Sequence, residues 1–136
     1  MRSFELIEHT ADTGLVAYGE TLAEAYANAA FGMFSIIADL DNVREKESRY
    51  VAVSGPDMEG LLFEWLNELI YIFDVDAILF RRFDISEFGE GRLEAACYGE
   101  RYDPSRHHLK TEVKSATYHM MEVDAEKKTV RIIFDV

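Results

Sequence analysis

The hydrophobic residues of this 136-residue chain change their spacing near Ala77. Before this point, two long segments carry apolar residues three or four positions apart, which is the pattern of an amphipathic helix. After it, apolar and polar residues alternate, which is the pattern of a half-buried strand. Because most strands gather at the C-terminal end, the sequence predicts an α+β layered fold, with two main amphipathic helices packed on a mixed or antiparallel sheet.

Both predicted helices have recognisable starts. Thr21 and Glu24 have the spacing of a capping box, in which the two side chains satisfy free backbone N–H groups. This first helix is predicted to end near Ala38. Asp57 is the predicted N-cap of the second helix. The second helix has the most regular apolar face in the chain, which consists of Met58, Leu61, Leu62, Trp65, Leu66, Leu69, Ile72 and Phe73.

Alternating residues and turn residues predict the strands. The predicted strands are residues 4–8, 14–18, 49–54, 78–88, 91–102, 110–119, 121–123 and 129–136. Residues 89–91 and 124–128 are predicted hairpin turns. No linker, repeat or low-complexity segment divides the chain, so residues 1–136 are expected to form a single domain.

The charge balance limits the partners that the chain can bind. It has 14 Lys and Arg residues against 26 Asp and Glu residues, which gives a formal net charge of −12. Nucleic-acid phosphates need a basic patch, so this balance argues against unaided binding of DNA or RNA. A cation or a basic protein surface is the expected partner.

The cytoplasm is the expected location. No stretch approaches the ~18–20 apolar residues of a membrane span, and the first residues meet Glu5 before any apolar run of a signal peptide. Cys97 is the single cysteine, so no internal disulfide and no cysteine-based metal site is expected. Cys97 alternates with Leu93 and Ala95, which predicts a buried thiol rather than a catalytic one.

Several motifs resemble functional sites but lack essential parts. The Asp-x-Asp pairs at 39–41 and 74–76 have no glycine at the sixth position of a calcium loop, and residues 89–91 lack the third glycine of a dinucleotide-binding loop. His107 and His108 are expected to be an exposed loop pair, with a weak metal site as the alternative. No catalytic triad stands out from the sequence, since triads are recognised by geometry. Nothing in the residue pattern supports an enzyme.

Two aspartates occupy unusual positions. Asp12 lies in a turn between the first two predicted strands, and Asp135 ends the last one. The residue pattern by itself favours ordinary roles, in which Asp12 binds its own backbone and Asp135 is solvated at a frayed strand end.

Four segments, residues 9–14, 61–71, 112–119 and 133–136, together resemble the archease family. They run in order over essentially the whole chain, and the four together are far more specific than any one of them. One departure is Thr13, where the family usually has valine.

The resemblance implies a non-catalytic protein that activates the RtcB-type RNA ligase of tRNA splicing. In this role it promotes formation of the ligase–GMP intermediate and multiple turnover, and it affects tRNA only through the ligase. Two alternatives remain open. One is a chaperone-like module that controls the solubility or oligomeric state of partner proteins, and the other is a metal-dependent hydrolase.

The resemblance also implies a bound divalent cation, usually calcium. Its ligands are expected to be Asp12, Asp135 and a main-chain or terminal carboxylate oxygen of Val136, all of them oxygen donors as calcium prefers. Residues expected only to support this site or to contact the ligase are His9, Lys114 and His119. A partner surface is also open on the second helix, at Trp65, Glu64 and Glu68.

Overall fold

The computed structural model describes residues 3–8 and 13–136 of the chain. Its elements in chain order are β1 (Phe4–Glu8), β2 (Thr13–Tyr18), α1 (Leu22–Ile37), a short 3-10 helix (Leu40–Asn42), β3 (Glu47–Ser54), α2 (Met58–Asp76), β4 (Ile78–Gly89), β5 (Arg92–Arg101), β6 (Ser115–Asp124) and β7 (Thr129–Asp135). The predicted α+β class is confirmed, and so are its two main helices.

The strands form two antiparallel sheets. One sheet has the order β1-β2-β7-β6 and the other has the order β3-β5-β4. The helices lie between them: α1 packs against β2 and β4, and α2 packs against β6 and β3. The first sheet therefore joins an early strand, β2, to the last strand, β7, which brings distant parts of the sequence together.

The largest core side chains are Trp65, Tyr26 and Phe34, all fully buried. The polar atoms of Trp65 and Tyr26 both have hydrogen-bond partners. The Nε1 atom of Trp65 donates to the backbone oxygen of Tyr26 at 3.0 Å, and the Tyr26 hydroxyl donates to the oxygen of Met58 at 2.6 Å. Because buried polar groups without partners are costly, these bonds allow α1 and α2 to pack against each other.

The predicted helix starts are confirmed. The Thr21 hydroxyl accepts from the N–H of Glu24 at 3.1 Å, and the Glu24 carboxylate accepts from the N–H of Glu20 at 3.0 Å. Asp57 accepts from the N–H of Gly60 at 2.7 Å. Neither helix, nor any other in the described ranges, is long and apolar enough to cross a membrane.

Both predicted hairpin turns are also confirmed. Glu90 and Gly91 connect β4 to β5 with φ angles of 53° and 76°, and two positive φ values in succession match the twist of the flanking strands. In the second hairpin, the Asp124 carboxylate accepts from the N–H groups of Glu126 and Lys127 at 3.1 and 3.0 Å.

The prediction of a strand over residues 110–119 is wrong in its first half. β6 begins at Ser115, and the preceding backbone is bound to the end of α1 instead. The N–H of Lys110 donates to the oxygen of Ile37 at 2.8 Å, and Leu109 forms an isolated bridge with Ala38. These bonds join residues 109 and 110 to the end of α1, so the strand does not begin there.

The predicted break at residue 120 is a bulge within one continuous strand. On β6, Thr117 pairs with Ile133 and the next pair is Glu122 with Arg131, so residues 118–121 of β6 oppose a single residue of β7. Met120 adopts a φ of 53° within this bulge. A bulge of this kind interrupts the pairing of an edge strand and redirects its side chains.

Candidate functional site

The first candidate site lies where β2 begins and β7 ends. Thr13, the first residue of β2, pairs with Phe134 of β7. Asp135 follows as the last residue of β7 and has an exposed side chain. Its backbone oxygen accepts from the N–H of Lys114 at 2.8 Å, so the strand end is tied to the chain on its other side and is not frayed.

The structure describes three of the other residues expected at this site, and two lie outside the described part of the chain. Asp12 and His9 lie outside the described residues. Val136 follows β7 and is partly exposed. The side chain of Lys114 is exposed beside the end of β7, whereas His119 lies in the bulge of β6, also exposed.

Gly14 explains how the two strands approach each other at this site. A Cβ atom at Gly14 would lie 2.5 Å from the backbone oxygen of Ile132 and 2.7 Å from Cδ1 of Ile133. The side chain of Ile133 is buried there although it is on the sheet face opposite the main core. The absence of a side chain at position 14 therefore allows Ile133 to cover β2 directly next to Thr13.

The donor chemistry of this region fits a hard cation. Asp135 contributes a solvent-accessible carboxylate, and calcium binds carboxylate, carbonyl and water oxygens. Within residues 3–8 and 13–136, no group of three or more His, Cys, Asp and Glu side chains is arranged to hold a metal ion. Of the two aspartates expected as ligands, the described residues contain only Asp135.

A second cluster surrounds Glu100, a residue that no sequence motif indicates. Its side chain is only 5% exposed and accepts from three donors. These are the N–H of Arg44 at 2.7 Å, the guanidinium of Arg106 at 2.6 Å and Nε2 of His107 at 2.9 Å. Nδ1 of His107 accepts from the N–H of Asp103 at 2.9 Å, so the proton of neutral His107 is on Nε2.

The donors of this cluster keep Glu100 ionised. Burial by itself raises the pKa of Glu100, but the hydrogen bonds from Arg106, Arg44 and His107 together lower the pKa to about 2. His107 is buried, so its expected exposure in a loop pair is wrong, while His108 is exposed as expected. Every member of the cluster is bound to another, and we therefore assign it the structural task of fixing the loop after β5.

A cleft of about 410 Å³ lies beside this cluster. Its lining is Asp41, Asn42, Arg44, Ser105 and Arg106. The hydroxyl of Ser105 donates to the carboxylate of Asp103 at 2.7 Å. Ser105 is therefore bound to an acidic loop residue and not to a histidine that would activate it as a nucleophile.

Two further predictions concern single side chains. Cys97 is fully buried as expected, and burial together with the charge of Asp84 raises the pKa of its thiol to about 12. Trp65 is fully buried as well, so its expected place on a partner surface is wrong. Glu64 is exposed and Glu68 is half-buried, so these two remain available to solvent.

Together these features define a two-sheet α+β protein in which early and late strands meet beside an exposed carboxylate. The chain belongs to the archease family: the family model described as "Archease protein family (MTH1598/TM1083)" matches residues 4–136. The resemblance seen in the sequence is thereby confirmed.

Individual relatives support this membership. The chain is 41% identical over 127 residues to protein archease of Methanosarcina mazei, covering 90% of this chain and 87% of the relative. It is 41% identical over 128 residues to protein archease of Pyrococcus abyssi, covering 91% and 89%.

Two solved structures share the fold. The solution structure of protein 1598 from Methanobacterium thermoautotrophicum has a TM-score of 0.85 and 36% identity, and the match covers 100% of both chains. The crystal structure of a Thermotoga maritima protein, described as an archease and possible chaperone, has a TM-score of 0.62 and covers 100% of this chain and 98% of that one. Its identity of 21% makes it similar in fold alone.

Proposed function

We propose that this chain is a non-catalytic activator of an RtcB-type RNA ligase. In this role it promotes formation of the ligase–GMP intermediate and sustains multiple turnover in tRNA exon ligation. It acts through a divalent cation held by Asp12, Asp135 and an oxygen of Val136. Family membership over residues 4–136 supports the proposal.

The single observation that carries the cation site is the pairing of Thr13 with Phe134. In an antiparallel pair, the residue before one partner and the residue after the other come next in the ladder. Asp12 precedes Thr13 in the sequence and Asp135 follows Phe134. This register therefore supports a shared site for two carboxylates that are far apart in the sequence.

Calcium is the cation that we propose, because all the expected donors are oxygen atoms. When bound, it neutralises carboxylates that would otherwise repel one another and presents a positive centre to the partner. Asp135 is suited to hold it, since its backbone is fixed by Lys114 while its carboxylate is exposed.

The charge of the chain supports an indirect effect on RNA. A protein with a net charge of −12 repels the phosphates of tRNA. We therefore propose that the ligase is the direct partner and that tRNA is affected only through it. Neither DNA nor a membrane is part of this role.

We propose the cytoplasm as the place of this role. The single cysteine, Cys97, is free and buried. A protein without disulfides suits a reducing compartment.

Single-turnover guanylylation of the cognate ligase tests the proposal. The wild-type protein is expected to increase the fraction of guanylylated ligase, whereas Asp12→Asn and Asp135→Asn abolish the increase. Calcium binding, measured by calorimetry in the absence of ligase, is expected to weaken at least about tenfold in both variants. Asp41→Asn is the matched control, because Asp41 is exposed and lines the cleft beside the Glu100 cluster. Wild-type stimulation and calcium affinity in both variants would show the site assignment to be wrong.

A chaperone-like module is the alternative function. The Thermotoga maritima protein of the same fold is described as a possible chaperone, and Tyr71, Tyr118 and Met120 of this chain are more than half exposed. Exposed apolar side chains suit the binding of unfolded segments. Suppressed aggregation of unrelated proteins, with no change in ligase guanylylation, would favour this alternative.

A further inference from the structure

Helix α2 presents an unusual face to solvent. Phe63, Asn67, Tyr71 and Val75 recur every four residues along it, and at 3.6 residues per turn they fall within an arc of roughly 120°. Tyr71 and Val75 are each 60% exposed. The opposite side of the helix is buried in the core. Within the row, Phe63 and Asn67 are half-buried, whereas Tyr71 and Val75 are exposed to solvent.

The charges on this side of α2 all have one sign. Glu64, Glu68 and Asp74 are acidic, and the helix contains no Lys or Arg. None of these three carboxylates forms an ion pair with a residue in the described part of the chain. Surface helices commonly mix both signs, and a face with unpaired acidic groups around apolar ones is complementary to a basic partner.

Strand β6 extends this face. The rings of Phe63 and Tyr118 stack with centroids 4.3 Å apart and planes 7° apart. Asn67 binds both backbone groups of Ala116, accepting from its N–H at 2.9 Å and donating to its oxygen at 3.3 Å. The helix and the strand are thus fixed against each other.

The bulge in β6 exposes further apolar surface. Tyr118 and Met120 are each 55% exposed, and Met120 holds a left-handed φ of 53°. A residue other than glycine adopts this conformation at a cost, and such strain concentrates at binding surfaces. The bulge also disrupts the edge of the sheet, so an added β-strand is a poor occupant of this surface.

We propose that this surface docks a basic segment of a partner protein, with apolar side chains between its Lys and Arg residues. The α2–β6 face consists of Phe63, Glu64, Glu68, Tyr71, Tyr118 and Met120. The apolar residues supply the buried centre of the contact and the carboxylates supply complementary charge. RNA and a second copy of this chain are disfavoured as occupants, because each carries the same sign of charge as the face.

The face lies close to the cation site. Ser115 of β6 pairs with Asp135, and Tyr118 follows three residues later on the same strand. At about 3.3 Å per residue, the face begins roughly 10 Å from the end of β7. Asp135 and Tyr118 project from opposite faces of the sheet, so one partner contacts both regions by reaching around the edge strand β6. We identify this partner as the ligase, an assignment that rests on the proposed function.

Binding of the purified cognate ligase tests the face. We expect a dissociation constant at least about tenfold higher for the double variant Glu64→Lys, Glu68→Lys, and likewise for Tyr118→Ala. Glu87→Lys with Glu126→Lys is the matched control, since it changes the net charge equally at exposed residues outside the face. The control is expected to bind within about twofold of wild type if the local charge matters rather than the total. Circular dichroism checks that each variant is folded.

A second arm uses a probe that does not depend on the ligase. A synthetic amphipathic peptide of Leu and Lys residues is expected to bind the wild-type protein and to lose binding to the Glu64→Lys, Glu68→Lys variant. If the ligase is not stimulated but the peptide binds through the face, the proposed function fails and the docking face stands. If the ligase is stimulated and both the ligase and the peptide bind all variants equally, the docking face is wrong and the proposed function stands.

Two other outcomes would show that the face binds something other than a basic segment of a partner protein. Binding of tRNA to the isolated protein, weakened by Tyr118→Ala, would assign the face to RNA. A dimer seen by sedimentation in the wild type and lost in the Tyr118→Ala variant would assign it to a second copy of the chain.

Discussion

Nε2 of His107 lies 2.9 Å from Oε2 of Glu100, and both side chains are almost entirely buried. The same carboxylate binds the guanidinium of Arg106 and the N–H of Arg44. Residues from the segment after α1 and from the loop after β5 thus meet at one negative charge.

Glu100 predicts a dependence of stability on acid. Its pKa is lowered to about 2 in the folded state from an ordinary value of 4.5. A lowered pKa in the folded state stabilises the protein above the ordinary value and loses this effect as the pH falls through the folded value. The difference in free energy of unfolding between wild type and Glu100→Gln is therefore expected to shrink as the pH falls from about 4.5 to 2.

Urea unfolding at a series of pH values measures this difference. Glu126→Gln is the control, because Glu126 is exposed and should show little dependence. An equal difference between wild type and Glu100→Gln at pH 3 and pH 6 would contradict the prediction.

Cys97 predicts resistance to thiol reagents in the folded state. Its thiol is buried and has a pKa raised to about 12, and only the accessible thiolate reacts. At pH 8 we expect negligible reaction with a disulfide reagent, and rapid reaction of one thiol per chain once urea unfolds the protein. Rapid labelling of the native protein at low reagent concentration would show that the thiol is exposed.

Local features of the fold follow from the sequence. Thr21 and Asp57 cap helices because their side chains reach N–H groups three residues away. The turn at Glu90 and Gly91 follows from its position between two segments in which apolar and polar residues alternate. These elements depend on neighbours in the chain, and the hydrophobic period indicates the two helices and most strands for the same reason.

Features that depend on distant residues do not follow in this way. Alternation along β5 places Glu100 on the solvent side, yet it is buried because Arg44, 56 residues away, and the loop at His107 cover it. The bulge at Met120 likewise depends on where β7 pairs with β6. For the candidate site, alternation indicates that Asp135 belongs to a strand. It does not indicate that this strand lies beside β2, because that depends on how distant strands pair in the sheet.

The close packing around Gly14 predicts that a single added methyl group destabilises the protein. A Cβ there would lie within 3.0 Å of the Ile132 oxygen and of Cδ1 of Ile133. Gly14→Ala is therefore expected to lower the free energy of unfolding by about 1–3 kcal/mol, as overpacked sites do. In an Ile133→Val background, which lacks Cδ1, the loss should be smaller. Urea unfolding of the four proteins measures both effects. A loss below about 0.5 kcal/mol would contradict the prediction, because it would mean that β2 and β7 make room for the methyl group at little cost.

Asn67 predicts that α2 holds the beginning of β6 in place. Its amide satisfies both backbone groups of Ala116, a residue 49 positions away on the edge strand. Asn67→Ala removes both bonds, each contributing about 0.5–1.5 kcal/mol, and the better helix propensity of alanine offsets part of this loss. We expect a net destabilisation of about 1 kcal/mol and faster hydrogen exchange at the Ala116 amide.

Asp74→Ala on the same helix is the control for propensity, because Asp and Asn have similar helix propensities and Asp74 is exposed. Asn67→Asp adds a finer test, since a carboxylate still accepts from the N–H of Ala116 but cannot donate to its oxygen. Because its second carboxylate oxygen then faces the Ala116 oxygen with no hydrogen between them, exchange at the Ala116 amide should be faster than in wild type. If Asn67→Ala and Asp74→Ala change stability and exchange equally, the two bonds do not hold the strand, and the position of Tyr118 beside Phe63 must be fixed by the ring stack alone.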